Sequence, residues 1–86
     1  MSFPDRGRPP RLVVVTIPDC HLCDLAREAV EKMAFRAGIP WSEKDLTETG
    51  APDPAWWDEV PLVLVDDAVV CRLRVDEDLL GAALER

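Results

Sequence analysis

Four segments of the chain have the hydrophobic pattern of β-strands. Residues 11–17 (RLVVVTI) are mostly apolar and β-branched, and the run is too short for a helix, which predicts a strand buried on both faces. Residues 62–65 and 68–73 are two further apolar runs separated by the dipeptide Asp66–Asp67, a pattern that predicts a β-hairpin. Residues 40–46 are more polar and predict an edge strand.

Between the first two strands, the pattern changes to that of an amphipathic helix, predicted over His21–Ala37. Gly38 is suited to the residue after a helix end, and Pro40 prevents continuation of the helix. The expected apolar stripe consists of Leu22, Leu25, Ala26, Ala29, Val30, Met33, Ala34 and Ala37.

Two shorter helices are predicted after the second strand. Residues 47–54 read as a loop, in which Asp53 and Pro54 are suited to begin a helix over residues 55–58. Asp76 is suited to cap a last helix near the end of the chain. The apolar stripe expected for that helix is Leu79, Leu80, Ala83 and Leu84.

The element order β-α-β-α-β-β-α predicts an α/β domain over residues 11–86, preceded by a disordered lead-in over residues 1–10. A strand–helix–strand start implies a parallel pair, and the terminal hairpin adds two antiparallel strands. The expected architecture is therefore a four-stranded mixed sheet with helices on both faces.

Charge and composition exclude some classes of partner and indicate where the protein is expected to act. The 86-residue chain has 10 Lys and Arg against 17 Asp and Glu, a formal net charge of −7, which argues against nucleic acid or an anionic membrane as main partners. Residues 1–10 lack the apolar core of a signal peptide, so we expect a cytoplasmic protein with reduced thiols. Three cysteines are too few for a disulfide framework.

Residues 18–24 (PDCHLCD) contain the main candidate for chemistry. Cys20 is expected where the first strand meets the helix and Cys23 one turn later, so their side chains face the same side and can form a disulfide. Backbone N–H groups at a helix start lower a cysteine pKa, and a positive charge on His21 would tune the pKa of Cys20 further. The alternatives are two inert thiols, a solvated His21, and a zinc site. A structural zinc site needs four ligands, so we predict no metal.

Two other features allow more than one interpretation. By strand alternation, Val69, Cys71, Leu73 and Val75 share one face, which predicts that Cys71 is a small core residue rather than a resolving or regulatory thiol. Trp56 and Trp57 are expected either to cover the second face of the sheet or to form a platform for a substrate near the cysteines.

The chain resembles the glutaredoxin-like branch of the thioredoxin superfamily. Cys20-His21-Leu22-Cys23 after the first strand, Val60-Pro61 before the third and the element order carry the resemblance. It implies a thioredoxin fold in which Cys20 is the nucleophile and Cys23 resolves the intermediate. It also implies that Pro61 is cis and packs against the cysteines, and that the Val60 backbone pairs with the substrate chain.

The sequence also departs from familiar glutaredoxins. His21 and Leu22 replace the proline and tyrosine between the cysteines, and Arg74-Val75 stands where a glycine pair is expected. Because side chains at that position would crowd a bound peptide backbone, we predict that glutathione is at best a poor partner. The tryptophan that precedes the first cysteine in thioredoxins is replaced by Asp19.

These observations predict a monomeric thiol–disulfide oxidoreductase that needs no dissociable cofactor. Its expected partners are disulfides of proteins or of low-molecular-weight thiols, with no nucleic acid and no membrane, and the reducing partner is left open. One alternative is a protein-binding module of the same fold with idle thiols. Another is an iron–sulfur cluster carrier in which Cys20 is a ligand in a bridged dimer.

Overall fold

The computed structural model describes residues 9–85. The lead-in predicted over residues 1–10 therefore lies outside the described residues, except for Pro9 and Pro10, which have no regular secondary structure. Within residues 9–85, every helix is too short or too polar to cross a bilayer.

The described chain forms a four-stranded mixed sheet with four helices. In the sheet order β2-β1-β3-β4, β1 is parallel to β2 and antiparallel to β3, and β3 is antiparallel to β4. This architecture confirms the predicted thioredoxin fold. The elements are β1 (Leu12–Thr16), α1 (His21–Ala37), β2 (Trp41–Asp45), α2 (Leu46–Thr49), α3 (Trp56–Glu59), β3 (Leu62–Val65), β4 (Ala68–Arg72) and α4 (Glu77–Leu84).

The short helix α2 lies where we predicted the end of a strand and a loop. Asp45 acts as its N-cap, since its carboxylate accepts a hydrogen bond from the Thr47 N–H at 2.8 Å. Leu46 is buried in the core beneath this turn. The cap and the buried leucine together bend the chain into a helical turn directly after β2.

Side chains from the two faces of the sheet form separate hydrophobic clusters. Alternate residues of β1 and β3 enter opposite clusters, which confirms that β1 is buried on both faces. The first cluster, under α1 and α4, is Leu12, Val14, Ala26, Val30, Ala34, Val63, Val65, Cys71 and Leu80. The second cluster, which α2 and α3 help to cover, is Val15, Cys23, Leu46, Val60, Leu62 and Leu64.

Helix α1 has the predicted bounds but a different buried stripe. Gly38 adopts the left-handed conformation with φ 69°, and its N–H donates to the last turn of the helix, as expected for a glycine at this position. The fully buried residues of α1 are Cys23, Ala26, Val30 and Ala34. Leu22 and Leu25 are about half-exposed and Ala37 is exposed, so the predicted apolar stripe is not buried at these three positions. In the first turns of α1, Cys23 and Ala26 face the sheet instead.

The β3–β4 hairpin has the predicted turn and an unpredicted bulge. Asp66 and Asp67 have φ of 51° and 70°, the left-handed values that aspartate tolerates. Cys71 pairs with Val63 and Val69 pairs with Leu64, so an extra residue is inserted into β4 between them. The predicted common face is therefore wrong, because Val69 packs against the second cluster while Cys71 belongs to the first.

Helix α4 closes the first cluster. Asp76 is the predicted N-cap, and its carboxylate accepts hydrogen bonds from the N–H groups of Asp78 at 3.0 Å and Leu79 at 3.1 Å. An ion pair of 2.9 Å between Lys32 and Glu77 joins α4 to α1. Leu80 is buried, but Leu79 points into solvent, so the predicted stripe is wrong at this position.

Two neighbouring leucines of α4 provide a test of this packing. Leu80 is 0% exposed and Leu79 is 54% exposed. We expect Leu80→Ala to lower the free energy of unfolding by about 2–5 kcal/mol, because it leaves a cavity in the first cluster. Leu79→Ala should change it by less than about 0.5 kcal/mol. Urea denaturation of both variants measures the difference, and equal losses would contradict the described orientation of α4.

Candidate functional site

The junction between β1 and α1 positions Cys20. The chain leaves β1 through a turn in which Asp19 has a φ of 56°, a left-handed value that aspartate accepts more readily than most residues. Cys20 is then extended and forms the N-cap of α1, with its carbonyl accepting the Asp24 N–H at 3.1 Å. The turn therefore places the Cys20 side chain at the positive end of the helix dipole.

Cys20 and Cys23 are joined by a disulfide, with their Cα atoms 5.1 Å apart. The Cys23 N–H also donates a hydrogen bond to Cys20 Sγ at 3.1 Å. The two sulfurs differ in access, because Cys23 is 0% exposed while Cys20 is partly exposed. An external reagent can thus approach Cys20 but not Cys23.

A polar network connects α1 to the strands beside this junction. Arg27 donates from Nε and Nη2 to the two carboxylate oxygens of Glu43, each at 2.9 Å, and from Nη1 to Asp24 at 2.7 Å. The buried Thr16 hydroxyl donates to the same Glu43 carboxylate at 2.6 Å. Hydrogen bonding to Arg27 lowers the pKa of Glu43, and the hydrogen bond to Glu43 raises the pKa of Arg27. Arg27 also neutralises part of the Asp24 charge, which would otherwise oppose a thiolate on Cys20.

The Val60–Pro61 peptide bond is cis, as the resemblance implies. Pro61 is fully buried, and Val60 lies in the second cluster together with Cys23. The structure thus brings the predicted proline segment and the buried cysteine into one hydrophobic cluster. The Val60 N–H already donates to the Trp56 carbonyl at 3.0 Å. Pairing of Val60 with a substrate chain would therefore rely on the Val60 carbonyl unless α3 opens.

His21 and the two tryptophans lie in different environments. His21 is exposed, and its side chain forms no hydrogen bond with residues 9–85. Trp56 is partly buried and, like Cys20, packs against the second cluster. This agrees with the expectation that a tryptophan covers the second face of the sheet. Trp57 is 43% exposed.

The left-handed backbone at Leu73, beside the Val60–Pro61 segment, was not predicted from the sequence pattern. It has a φ of 70°, and its N–H donates to the carbonyls of Pro61 at 2.8 Å and Glu59 at 3.1 Å. The glycine pair implied by the resemblance was expected at Arg74-Val75, yet the left-handed backbone that favours glycine occurs one residue earlier, at Leu73. Leucine rarely adopts this conformation, so the sequence does not predict it at this position. The absence of the expected glycine pair is the sequence signal that could have indicated an unusual backbone in this segment.

Cys71 lies away from the other two cysteines. It is buried in the first cluster, whereas Cys23 belongs to the second, so the prediction that Cys71 is a core residue is confirmed. Its Sγ donates to the Asp76 carbonyl at 3.8 Å, and burial raises the pKa of the thiol. In the part of the chain that the structure describes, no three His, Cys, Asp or Glu residues are grouped to hold a metal ion.

Comparisons with known proteins support the same fold and family. The family model described as "Glutaredoxin-like domain (DUF836)" matches residues 11–85. The solution NMR structure of protein Ne2328 from Nitrosomonas europaea is similar to this fold, with a TM-score of 0.77 and 22% sequence identity over 93% of this chain and 96% of that chain. Identity at this level shows a common fold alone. No curated protein matches the chain significantly in sequence.

The buried position of Cys71 predicts slow modification. A raised pKa leaves less thiolate at neutral pH, and burial blocks access, so native alkylation should label Cys71 far more slowly than reduced Cys20. Peptide mapping after timed alkylation, before and after denaturation, measures the two rates. Labelling of Cys71 as fast as that of Cys20 in the native protein would contradict its place in the first cluster.

The network around Glu43 predicts a pH-dependent contribution to stability. A carboxylate with a lowered pKa stabilises the fold above its unfolded pKa of about 4.3, and this contribution is lost as pH falls through the folded pKa. At pH ~7, Glu43→Gln should therefore lower the free energy of unfolding by about 1 kcal/mol, a modest loss because solvent screens the partly exposed pair.

At pH ~3, the difference between wild type and Glu43→Gln should be smaller, because this pH lies below the unfolded pKa of about 4.3 and the stabilising contribution is lost as pH falls from there through the lowered folded pKa. Glu31→Gln on the exposed face of α1 is the matched control and should show little change at either pH. Denaturant titrations at both pH values measure the effect. A difference that is the same at both pH values would show that charge on Glu43 does not stabilise the fold.

Proposed function

We propose that this chain, which belongs to the glutaredoxin-like domain (DUF836) family, is a thiol–disulfide oxidoreductase that uses Cys20 and Cys23. The observation that carries the proposal is the difference between the two sulfurs. Cys20 is partly exposed at the N-cap of α1, and Cys23 is buried one turn later within bonding distance. This difference suits a nucleophile that meets the substrate and a second thiol that acts after it.

The reaction begins with the reduced protein. The Cys20 thiolate attacks one sulfur of a substrate disulfide, so a mixed disulfide forms and the other substrate sulfur leaves as a thiolate that takes a proton from water. The N–H groups at the start of α1, including that of Cys23, would stabilise the Cys20 thiolate before the attack.

Cys23 then completes the exchange. Its thiol loses a proton to solvent or to the departing thiolate, attacks Cys20 Sγ, and expels the second substrate sulfur. The substrate disulfide gains two electrons and becomes two thiols, while the protein dithiol loses them and becomes the Cys20–Cys23 disulfide. The observed pair corresponds to this oxidised product. A thiol or dithiol reductant returns it to the reduced form.

Neighbouring residues have supporting roles in this proposal. His21 adds positive charge beside Cys20 when it is protonated, which favours the thiolate. Pro61 lies between Val60 and Leu62, which share the second cluster with Cys23, and the Val60 carbonyl is the backbone group suited to pair with a substrate chain. The substrates are disulfides of proteins or low-molecular-weight thiols.

Serine variants of the two cysteines test the order of attack. Cys23→Ser should accumulate a mixed disulfide on Cys20, because the resolving thiol is absent. Cys20→Ser should form no adduct, since Cys23 is buried. Intact mass and peptide mapping after incubation with a disulfide-bonded peptide measure the adducts. An adduct in neither variant would favour a binding module with idle thiols, and equal adducts in both would contradict the assigned roles.

A further inference from the structure

Arg27 on α1 bridges two carboxylates that belong to different elements. Its Nε and Nη2 atoms donate to the two oxygens of Glu43 on β2, and its Nη1 atom donates to Asp24 on α1. The hydroxyl of Thr16, at the end of β1, donates to the same Glu43 carboxylate, and Thr16 is 1% exposed. Each nitrogen of the guanidinium thus has a partner, which fixes the position of its charge.

This Asp24–Arg27–Glu43 bridge lies on the side of α1 that carries the cysteines. Arg27 follows Cys20 by seven residues and Cys23 by four, and these spacings place the three side chains on one side of a helix. Asp24 lies one turn after Cys20, and its N–H donates to the Cys20 carbonyl at 3.1 Å. The Asp24 carboxylate is therefore a neighbour of the Cys20 sulfur, and Arg27 is the group that pairs with it.

The charge of Asp24 affects the thiolate of Cys20. At a separation of about 6 Å, typical of neighbours four residues apart on a helix, an unpaired carboxylate in water lowers the thiolate-to-thiol ratio about threefold. A guanidinium that pairs with the carboxylate offsets this repulsion. Hydrogen bonding to Arg27 also lowers the pKa of Glu43, so the bridge keeps its charges throughout the neutral pH range.

Other charged groups surround Cys20 on its own segment and on the neighbouring elements. Asp19 and His21 adjoin it in sequence. The elements packed around the site carry Lys44, Asp45, Glu48, Asp58, the Arg72–Glu59 ion pair and Arg74. All of these groups stay in place when Arg27 is replaced, so their effects cancel when the variant is compared with the wild type.

We propose that Arg27 is a positioning residue that sets the balance between the disulfide and dithiol forms of Cys20 and Cys23, because by holding the Asp24 carboxylate it protects the Cys20 thiolate and favours the dithiol. The proposal rests on the proposed function, since only a pair that cycles between the two forms has a balance to set.

The exchange with a reference dithiol shows why a stabilised thiolate favours reduction. The reference dithiol gives two electrons to the Cys20–Cys23 bond, which breaks to leave a thiolate on Cys20 and a thiol on Cys23. The reference dithiol becomes a disulfide, one of its protons stays on Cys23, and the other passes to water. A group that stabilises the thiolate product therefore makes the protein easier to reduce.

Two measurements on the full-length protein test the proposal. In the reduced protein, the midpoint of the pH profile for Cys20 alkylation should move to higher pH in Arg27→Gln. At a pH above that midpoint, the oxidised protein is equilibrated with graded ratios of dithiothreitol and its cyclic disulfide. Acid quenching, alkylation and intact mass then give the dithiol-to-disulfide ratio. We expect Arg27→Gln to shift the equilibrium constant about threefold toward the disulfide.

Glu43→Gln separates the effect of charge from that of packing. Both replacements break the same bridge, so a merely structural role would shift the equilibrium in the same direction in both variants. Glu43→Gln removes a negative charge and leaves the Arg27 charge to Asp24 alone, so we expect a shift toward the dithiol. Arg36→Gln is the matched control in the last turn of α1, about 24 Å along the helix from Cys20, and should keep the wild-type constant.

A double variant tests whether Arg27 acts through Asp24. In an Asp24→Asn background, Arg27→Gln should change the equilibrium constant by less than about 1.5-fold, because the charge that Arg27 offsets is already absent. A threefold shift that persists in this background would overturn the assigned role.

The remaining outcomes distinguish this proposal from the proposed function. A wild-type pair that equilibrates with the dithiothreitol buffer, with a constant that Arg27→Gln leaves unchanged, would overturn the role of Arg27 and leave the oxidoreductase intact. Shifts in the same direction in Arg27→Gln and Glu43→Gln would do the same. A wild type that forms no reversible disulfide between Cys20 and Cys23 would overturn both proposals.

Discussion

β1 lies inside the sheet, between β2 and β3, and must therefore be apolar on both faces. Its side chains alternate between the two hydrophobic clusters, so each cluster depends on this strand for its centre. A strand buried in this way can acquire polar, accessible groups only where it ends. The chain reaches that point at Thr16, four residues before Cys20, and the first accessible sulfur of the motif follows directly.

The helix that follows makes the two cysteines unequal. At the N-cap, a side chain lies before the first turn of the helix and remains partly exposed, whereas a side chain three positions later, on the same side of the helix, lies one turn further in and is buried. Cys20 and Cys23 occupy these two positions, and the same geometry points the Cys23 N–H at Cys20 Sγ. Arg27, Glu43 and Thr16 fix the helix against β1 and β2 a turn further on. The difference in access thus follows from backbone geometry rather than from a special side chain.

Features set by local sequence could be predicted, and those set by tertiary packing could not. The bounds of α1, the Asp66–Asp67 turn and the Asp76 cap depend on residues close in the chain, and all three are confirmed. The bulge in β4 depends on how β3 and β4 align, which strand alternation alone does not specify. The exposure of Leu22 similarly depends on how α1 packs on the sheet, since its first turn buries Cys23 and leaves Leu22 46% exposed.

The segment after β4 shows how these two kinds of constraint conflict. Local preference would place glycine at position 73, because the backbone there is left-handed and bonded to two carbonyls of the preceding loop. The chain has leucine instead, and its side chain increases the apolar surface exposed to water. Neither the strain nor the exposure stabilises the isolated fold.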